Sequence, residues 1–143
     1  MSLGKMLTRE AVTAKTQDSL AEVARLMERE NVGAVVVTEE TRPVGIVTDR
    51  DLAFAVCMEG KSPKDQIQSV MTCPVETIAS EEGVYNATQR MMELAVRRLP
   101  VVNNVGTLIG LVSLDDLLLL LSRELHHMAE GIRAETKSPV VIL

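Results

Sequence analysis

One pattern occurs twice in the chain and constrains its fold more than any other feature. Residues 45–52 read GIVTDRDL, and residues 110–117 read GLVSLDDL. Each copy begins with Gly and continues with two aliphatic residues, a hydroxyl residue, two variable positions, Asp and Leu. A motif that recurs within 143 residues predicts two copies of one structural unit.

The similarity between the two copies extends upstream of the motif. Short apolar runs at residues 33–37 (GAVVV) and 98–102 (RLPVV) predict buried strands. Before each run, apolar residues recur at spacings of three and four, which is typical of one face of a helix. These residues are Leu20, Val23 and Met27 in the first copy, and Val84, Ala87 and Met91 in the second.

Shorter segments complete each unit. AVTA at residues 11–14 and VETI at residues 75–78 are β-like, and the turn formers in TEETRP and NNVGT separate the two later strands. Equivalent positions differ by 64 residues before this turn and by 65 after it, so the second turn is expected to be one residue longer. Each unit is therefore predicted to run strand, helix, strand, turn, strand, helix.

The chain is predicted to divide into repeats at residues 6–58 and 67–122, with a linker at 59–66 and an extension at 123–143. The final helix is expected to begin at Leu114 and to reach about Glu135. Its leucines recur on more than one face, so we expect part of it to contact a partner surface. The tail that follows, TKSPVVIL, is expected to fray or to pack on a neighbour.

The composition narrows the classes of function. A net charge of −5 argues against nucleic acids, whose phosphates attract basic surfaces. Phe54 and Tyr85 alone offer no stacking platform for bases. The longest aliphatic run, residues 117–121, is too short to span a bilayer. No secretory signal is recognisable, so Cys57 and Cys73 are expected to be reduced, partly buried residues of a cytoplasmic protein.

The repeated motif has a structural and a functional interpretation. Thr48 and Ser113 stand where a helix would begin, and Asp51 and Asp116 follow three residues later, a spacing close to that of a capping box. A cap of this kind stabilises a helix without any ligand. The same groups also suit a nucleotide, because a helix N-terminus attracts phosphate and a carboxylate accepts two hydrogen bonds from a ribose. The motif alone leaves both interpretations open.

In their order and spacing these features resemble the cystathionine-β-synthase (CBS) domain, present here as a tandem pair, or Bateman module. The resemblance rests on MLTREAVTA and VMTCPVETI at the starts of the units, on RRLPVV and on the doubled motif. It implies an α+β fold in which two α/β-like repeats of β-α-β-β-α type pack about a pseudo-two-fold axis. It also implies that Ser or Thr contacts phosphate, that Asp binds ribose hydroxyls and that adenine lies between strands of both repeats.

The two potential sites are not expected to be equal. Arg97 and Arg98 resemble a basic pair that holds phosphate in the gamma subunit of AMP-activated protein kinase. The matching positions of the first repeat are Gly33 and Ala34, which carry no charge. The alternative is that the two arginines are a solvated pair at the start of a strand. The predicted ligand-binding residues are Ser113, Asp116, Arg97, Arg98, Thr48 and Asp51, and the second motif is expected to bind more tightly.

The resemblance implies a regulatory, non-catalytic module that binds an adenosine-containing ligand and conveys its binding to an unidentified protein partner. AMP, ADP, ATP, NAD and S-adenosylmethionine all carry the adenosine group. The alternative function is a structural or oligomerisation module with no bound nucleotide. No Ser/His/Asp or Cys/His set supports an enzyme, and Glu124 with His127 is insufficient for a metal site. A homodimer is expected, because members of this family usually pair.

Overall fold

Two copies of one arrangement follow each other along the chain. In the computed structural model, residues 1–7 and 10–136 are described. The elements of the first half are α1 (Leu3–Met6), β1 (Thr13–Lys15), α2 (Leu20–Glu30), β2 (Ala34–Glu39), β3 (Arg42–Thr48) and α3 (Asp49–Cys57). Those of the second are a 3₁₀ turn (Ile67–Ser69), β4 (Ile78–Ala79), α4 (Val84–Leu94), β5 (Arg98–Val102), β6 (Leu108–Ser113) and α5 (Leu114–Thr136).

Each half contains a three-stranded sheet of the same topology. The strand orders are β1-β2-β3 and β4-β5-β6, with a parallel first pair and an antiparallel second pair in both. Val37 is opposite Gly45, and Val101 is opposite Gly110, with a register shift directly after each valine. The equivalent pairs and irregularities confirm the predicted α+β fold with two repeats related by pseudo-symmetry.

Some boundaries differ from those predicted. The β-like segments predicted at 11–14 and 75–78 correspond to strands β1 and β4, which begin two and three residues further along the chain. Most of the segment TEETRP, which was predicted to be a turn, belongs to strands β2 and β3. The two strands remain paired beyond the register shift, as far as Glu39 and Arg42. Only two residues remain for the turn, and Glu40 takes a left-handed conformation there, with φ of 55°. Cys57 and Cys73 were expected to be partly buried, but both are exposed.

The apolar helix faces cover the sheets, as the spacing of three and four predicts. In α2, Leu20, Val23 and Met27 are buried, and α4 buries Ala87 and Met91. Two separate hydrophobic cores result, one for each sheet with its helices. The sequence pattern therefore builds two half-molecules with one core each.

The residues that lead into each repeat belong to the core of the other repeat. Leu3 is fully buried among the apolar side chains of the second core, and Ile67 is fully buried among those of the first. The Leu3 amide donates to the Glu82 carbonyl at 2.8 Å, and the Ile67 amide donates to the Asp18 carbonyl at 2.7 Å. Since both pairs of positions differ by 64 residues, the exchange of leading segments is reciprocal.

This exchange explains the first residue of the repeated motif. A Cβ added to Gly45 would lie 2.8 Å from Met71 Cγ, and one added to Gly110 would lie 2.5 Å from Leu7 Cδ1. Both distances are shorter than real Cβ contacts. A larger residue at either position would therefore displace the Met71 or Leu7 side chain of the exchanged segment, which packs directly on the strand.

Helix α5 extends beyond the second core. It has 23 residues, or about 34 Å of helix, and its one buried residue is Leu117. The helix ends at Thr136, so the remainder of the tail whose fraying or packing was expected, residues 137–143, lies outside the described residues. Within the described ranges, none of the helices is both long and apolar enough to cross a membrane.

Candidate functional site

The repeated motif forms the junction between a strand and a helix in both repeats. Thr48 ends β3 and caps α3, and its hydroxyl accepts a hydrogen bond from the Asp51 amide at 3.1 Å. Asp51 Oδ2 in turn accepts from the Thr48 amide at 2.9 Å. Ser113 and Asp116 form the same reciprocal pair, at 3.0 and 3.1 Å. The capping box predicted from the sequence is therefore present twice.

The capping box leaves chemical groups over for a ligand. Each cap uses Oδ2 of the carboxylate and a lone pair of the hydroxyl, whereas Oδ1 and the hydroxyl proton take no part in it. A hydroxyl proton can be donated to a phosphate oxygen, and a carboxylate oxygen can accept from a sugar hydroxyl. The structural and functional interpretations of the motif are thus compatible.

A cavity of about 430 Å³ lies beside the second motif and joins the two repeats. Ser113, Asp116 and Arg98 line it from the second repeat. The opposite wall comes from the first repeat and includes Val12 and Ala34. A cavity of this size falls within the range of small-molecule sites. The structure therefore brings together three of the predicted site residues.

The charged lining of this cavity is mainly acidic. Among the residues that the structure describes, Glu10, Glu30, Asp115 and Asp116 line it together with one basic side chain, that of Arg98. This balance disfavours ligands that carry several negative charges, because each charge needs a partner when it leaves water.

Arg97 and Arg98 have different environments, although they are adjacent in sequence. Arg97 is not part of the cavity lining and instead pairs with Asp115, with Nη2 and Oδ1 2.9 Å apart. Both of these side chains are 67% exposed, so the ion pair contributes little to stability. Arg98 is half-buried and lines the cavity. Of the two arginines, Arg98 is the one that faces the candidate site.

The guanidinium of Arg98 reaches across to the first repeat. A Cβ added to Gly33 would lie 3.7 Å from Arg98 Nη2 and 3.5 Å from Asp49 Oδ2. The glycine therefore leaves room between a cation of the second repeat and an anion of the first. A larger residue would narrow this part of the cavity wall.

The start of helix α3 differs from that of α5 at two charged positions, since Asp49 and Arg50 stand where the second repeat has Leu114 and Asp115. Asp49 Oδ1 accepts a hydrogen bond from the Arg50 amide at 2.8 Å, which places a carboxylate at the helix N-terminus. Leu114 occupies the equivalent position in the second repeat and has no carboxylate. Arg50 itself lies over the Phe54 ring, 5.1 Å from its centroid. Thr48 and Asp51 do not line the cavity described above.

The first-repeat wall of the cavity was not predicted residue by residue. Val12 and Ala34 have only the signal of a buried strand, and nothing in their side chains marks a site. The strand register places Ala34 opposite Thr48 and Arg98 opposite Ser113, at equivalent positions in the two sheets. It therefore shows which residue of each repeat lies beside the motif. In the described ranges, 1–7 and 10–136, no group of His, Cys, Asp or Glu is arranged to hold a metal ion.

The chain belongs to the CBS domain family, whose sequence profile matches it twice, at residues 3–57 and 67–123. An uncharacterised protein of Methanopyrus kandleri is 36% identical over 120 residues. That match covers 82% of this chain and 61% of the relative, so the chain spans somewhat less than two thirds of the relative's length.

Two solved structures have the same fold over most of the chain. The CBS domain pair of protein MJ0100, in complex with 5′-methylthioadenosine and S-adenosyl-L-methionine, has a TM-score of 0.77 and 25% identity. It matches 87% of this chain and 98% of its own. A CBS domain protein from Pyrobaculum aerophilum, complexed with AMP, has a TM-score of 0.76 and 26% identity, with 86% and 99% covered. Both comparisons confirm the fold of a CBS pair.

Proposed function

We propose that this protein is a regulatory module that binds an adenosine-containing ligand in the cavity beside the second motif. The observation that carries the proposal is the convergence of Ser113, Asp116 and Arg98 on a cavity whose other wall belongs to the first repeat. The two similar structures that contain adenosine compounds support the same ligand class. The ligand would contact both repeats and could thereby favour one arrangement of them.

Each polar group around the cavity has a chemical part in this proposal. The Ser113 hydroxyl donates to a phosphate oxygen, and the Arg98 guanidinium supplies the positive charge beside it. Asp116 Oδ1 accepts from the ribose hydroxyls while Oδ2 keeps the helix capped. The adenine ring packs between apolar residues such as Val12 and Leu111, which line the cavity from different repeats.

The acidic lining favours a monophosphate or a dinucleotide over ATP. Arg98 is the one arginine among the described residues that faces the cavity, and each further phosphate would meet the carboxylates of Glu10, Glu30 or Asp115. We therefore expect AMP to bind more tightly than ATP in isothermal titration calorimetry at fixed ionic strength. ATP binding at least about tenfold tighter than AMP, or 1.4 kcal/mol, would contradict this preference.

The first motif is proposed to be the weaker site. Thr48 and Asp51 provide the same capping geometry as the second motif, but Asp49 already places a carboxylate at the start of helix α3. A phosphate there would be repelled by this group, although Arg50 could offset part of the repulsion. In the second motif, the Arg97–Asp115 ion pair reduces the corresponding repulsion from Asp115. Arg97 is thus proposed to act on the ligand through Asp115.

The binding state is proposed to pass to a protein partner through helix α5. This helix begins at the candidate site, directly after Ser113, and its distal half is exposed to solvent. No catalytic step is proposed, because the sequence offers no nucleophile with an activating base. The two unpaired cysteines fit a reducing compartment such as the cytoplasm.

A thermal-shift panel of AMP, ADP, ATP, NAD and S-adenosylmethionine tests the proposal. A ligand present at one hundred times its dissociation constant adds about 2.7 kcal/mol to the free energy of unfolding. We expect at least one compound to raise the melting temperature by several degrees, and calorimetry to give its stoichiometry. If none does so at millimolar concentration, the alternative, a structural or oligomerisation module, replaces the proposal. Consumption of the compound over time would indicate an enzyme instead.

A further inference from the structure

The side chain of Arg98 is half-buried and lies close to an acidic residue of the other repeat. Among the residues that the structure describes, its guanidinium takes part in no ion pair and no hydrogen bond. The space in front of Gly33 separates Arg98 Nη2 from Asp49 Oδ2, since a Cβ on Gly33 would lie 3.7 Å from the first atom and 3.5 Å from the second. Opposite charges at such a separation attract each other without direct contact.

Asp49 directs one of its two oxygens toward this arginine. Its Oδ1 accepts a hydrogen bond from the Arg50 amide at the start of helix α3, whereas Oδ2 faces the space in front of Gly33. The equivalent position in the second repeat is Leu114, which has no charge with which to attract a cation. The attraction therefore acts in one direction, from a carboxylate of the first repeat on a cation of the second.

The strand register gives Arg98 a second direction in which to point. Arg98 is opposite Ser113 on the neighbouring strand. Side chains of opposite residues lie on the same face of a sheet, with Cβ atoms about 4.5–5.5 Å apart. A phosphate held by the Ser113 hydroxyl would thus lie within reach of the same guanidinium. This planar group can face the first repeat or the ligand, but it cannot bind fully to both.

We propose that Asp49 competes with the ligand for Arg98 and is a positioning residue of the site beside the second motif. The inference rests on the proposed function, because the competitor is the phosphate of an adenosine-containing ligand. In the free protein Asp49 draws the guanidinium toward the first repeat, and a bound phosphate draws it back toward Ser113. Asp49 is then left without this cation and repels a second phosphate at the start of helix α3 more strongly. The two sites therefore oppose each other in binding anions.

Titration calorimetry of Asp49→Asn with AMP and with adenosine tests the competition. Asn keeps an oxygen for the Arg50 amide but has no charge, so Arg98 should be released and AMP should bind about three- to tenfold more tightly. Adenosine has no phosphate for Arg98, so its affinity should change by less than about twofold. Glu30→Gln is the matched control, since Glu30 also lines the cavity but is paired with Arg29, with Oε1 and Nε 3.4 Å apart.

The same titrations in an Arg98→Ala background separate competition from simple charge repulsion. Asp49→Asn should then change AMP binding by less than about twofold, whereas Glu30→Gln should have the same effect in both backgrounds. Circular dichroism verifies that each variant is folded. An effect of Asp49→Asn that persists undiminished without Arg98 would overturn the proposal, and so would an equal gain in adenosine binding.

A measurement without ligand keeps this inference distinct from the proposed function. In urea denaturation, Asp49→Asn should lower the midpoint more when Arg98 is present than in the Arg98→Ala protein. If the two shifts are equal and the wild-type protein binds AMP, the competition is wrong and the proposed function stands. If the wild-type protein binds neither AMP nor adenosine, the proposed function fails and the competition fails with it.

Discussion

Replacement of the motif aspartates separates the two interpretations of the repeated motif. Asp116→Ala and Asp51→Ala each remove one side of a capping box of nearly identical geometry. The Thr48 and Ser113 hydroxyls still accept from the backbone amides of residues 51 and 116, so each variant loses only the bond to the carboxylate. This loss costs about 0.5–1.5 kcal/mol, and both variants should have a lower but similar melting temperature. Both remain folded at 25 °C, since domains have stabilities of about 5–15 kcal/mol.

The two variants should differ in ligand binding. In our proposal Asp116 also accepts hydrogen bonds from the ribose, and a hydrogen bond to a charged group contributes about 1.5–3 kcal/mol. Asp116→Ala should therefore weaken AMP binding by about ten- to a hundredfold. Asp51→Ala should change the tighter dissociation constant by less than about threefold.

Isothermal titration calorimetry with AMP at 25 °C measures these constants, and a melting curve for each variant confirms that the protein is folded. If Asp51→Ala abolishes the tighter binding while Asp116→Ala does not, the first motif is the working site and the reasoning from Arg98 and Asp49 is wrong. If neither variant changes the affinity, the motif serves only to cap helices.

Two further predictions concern the exchanged segments and the two arginines. Leu3→Ala and Ile67→Ala should each lower the free energy of unfolding by about 2–5 kcal/mol in urea denaturation, because both side chains are fully buried; a change below about 1 kcal/mol would contradict the exchange. Arg98→Ala should weaken AMP binding by about tenfold or more in calorimetry, whereas Arg97→Ala should change it by less than about threefold. Equal effects of the two substitutions would contradict their different placement.

Local patterns in the sequence predicted most of the fold. The helix α2 was found from the spacing of Leu20, Val23 and Met27, because a buried helix face imposes that period on the chain. The motif gave the caps at Thr48 and Ser113, since the hydroxyl and carboxylate of a capping box are three residues apart. Repetition of both signals at a constant offset then predicted a paired architecture.

Contacts between distant segments could not be predicted in the same way. The burial of Leu3 in the second core depends on a crossing of the chain that no local period records. The placement of Arg98 on the cavity and of Arg97 outside it follows from the position of each residue at the start of β5. The two neighbouring residues are chemically identical, so the sequence does not indicate which of them faces the cavity.

The reciprocal placement of Leu3 and Ile67 means that neither repeat is a complete folding unit. A repeat expressed by itself would have a hole in its core where the other repeat's residue belongs, and its own leading segment would be uncovered. Two single-repeat chains could fill both holes by trading these segments, as domain-swapped dimers do. The tandem chain is the covalent equivalent of such a swapped pair. Cleavage within residues 58–66 should accordingly leave two fragments that stay associated rather than two independent domains.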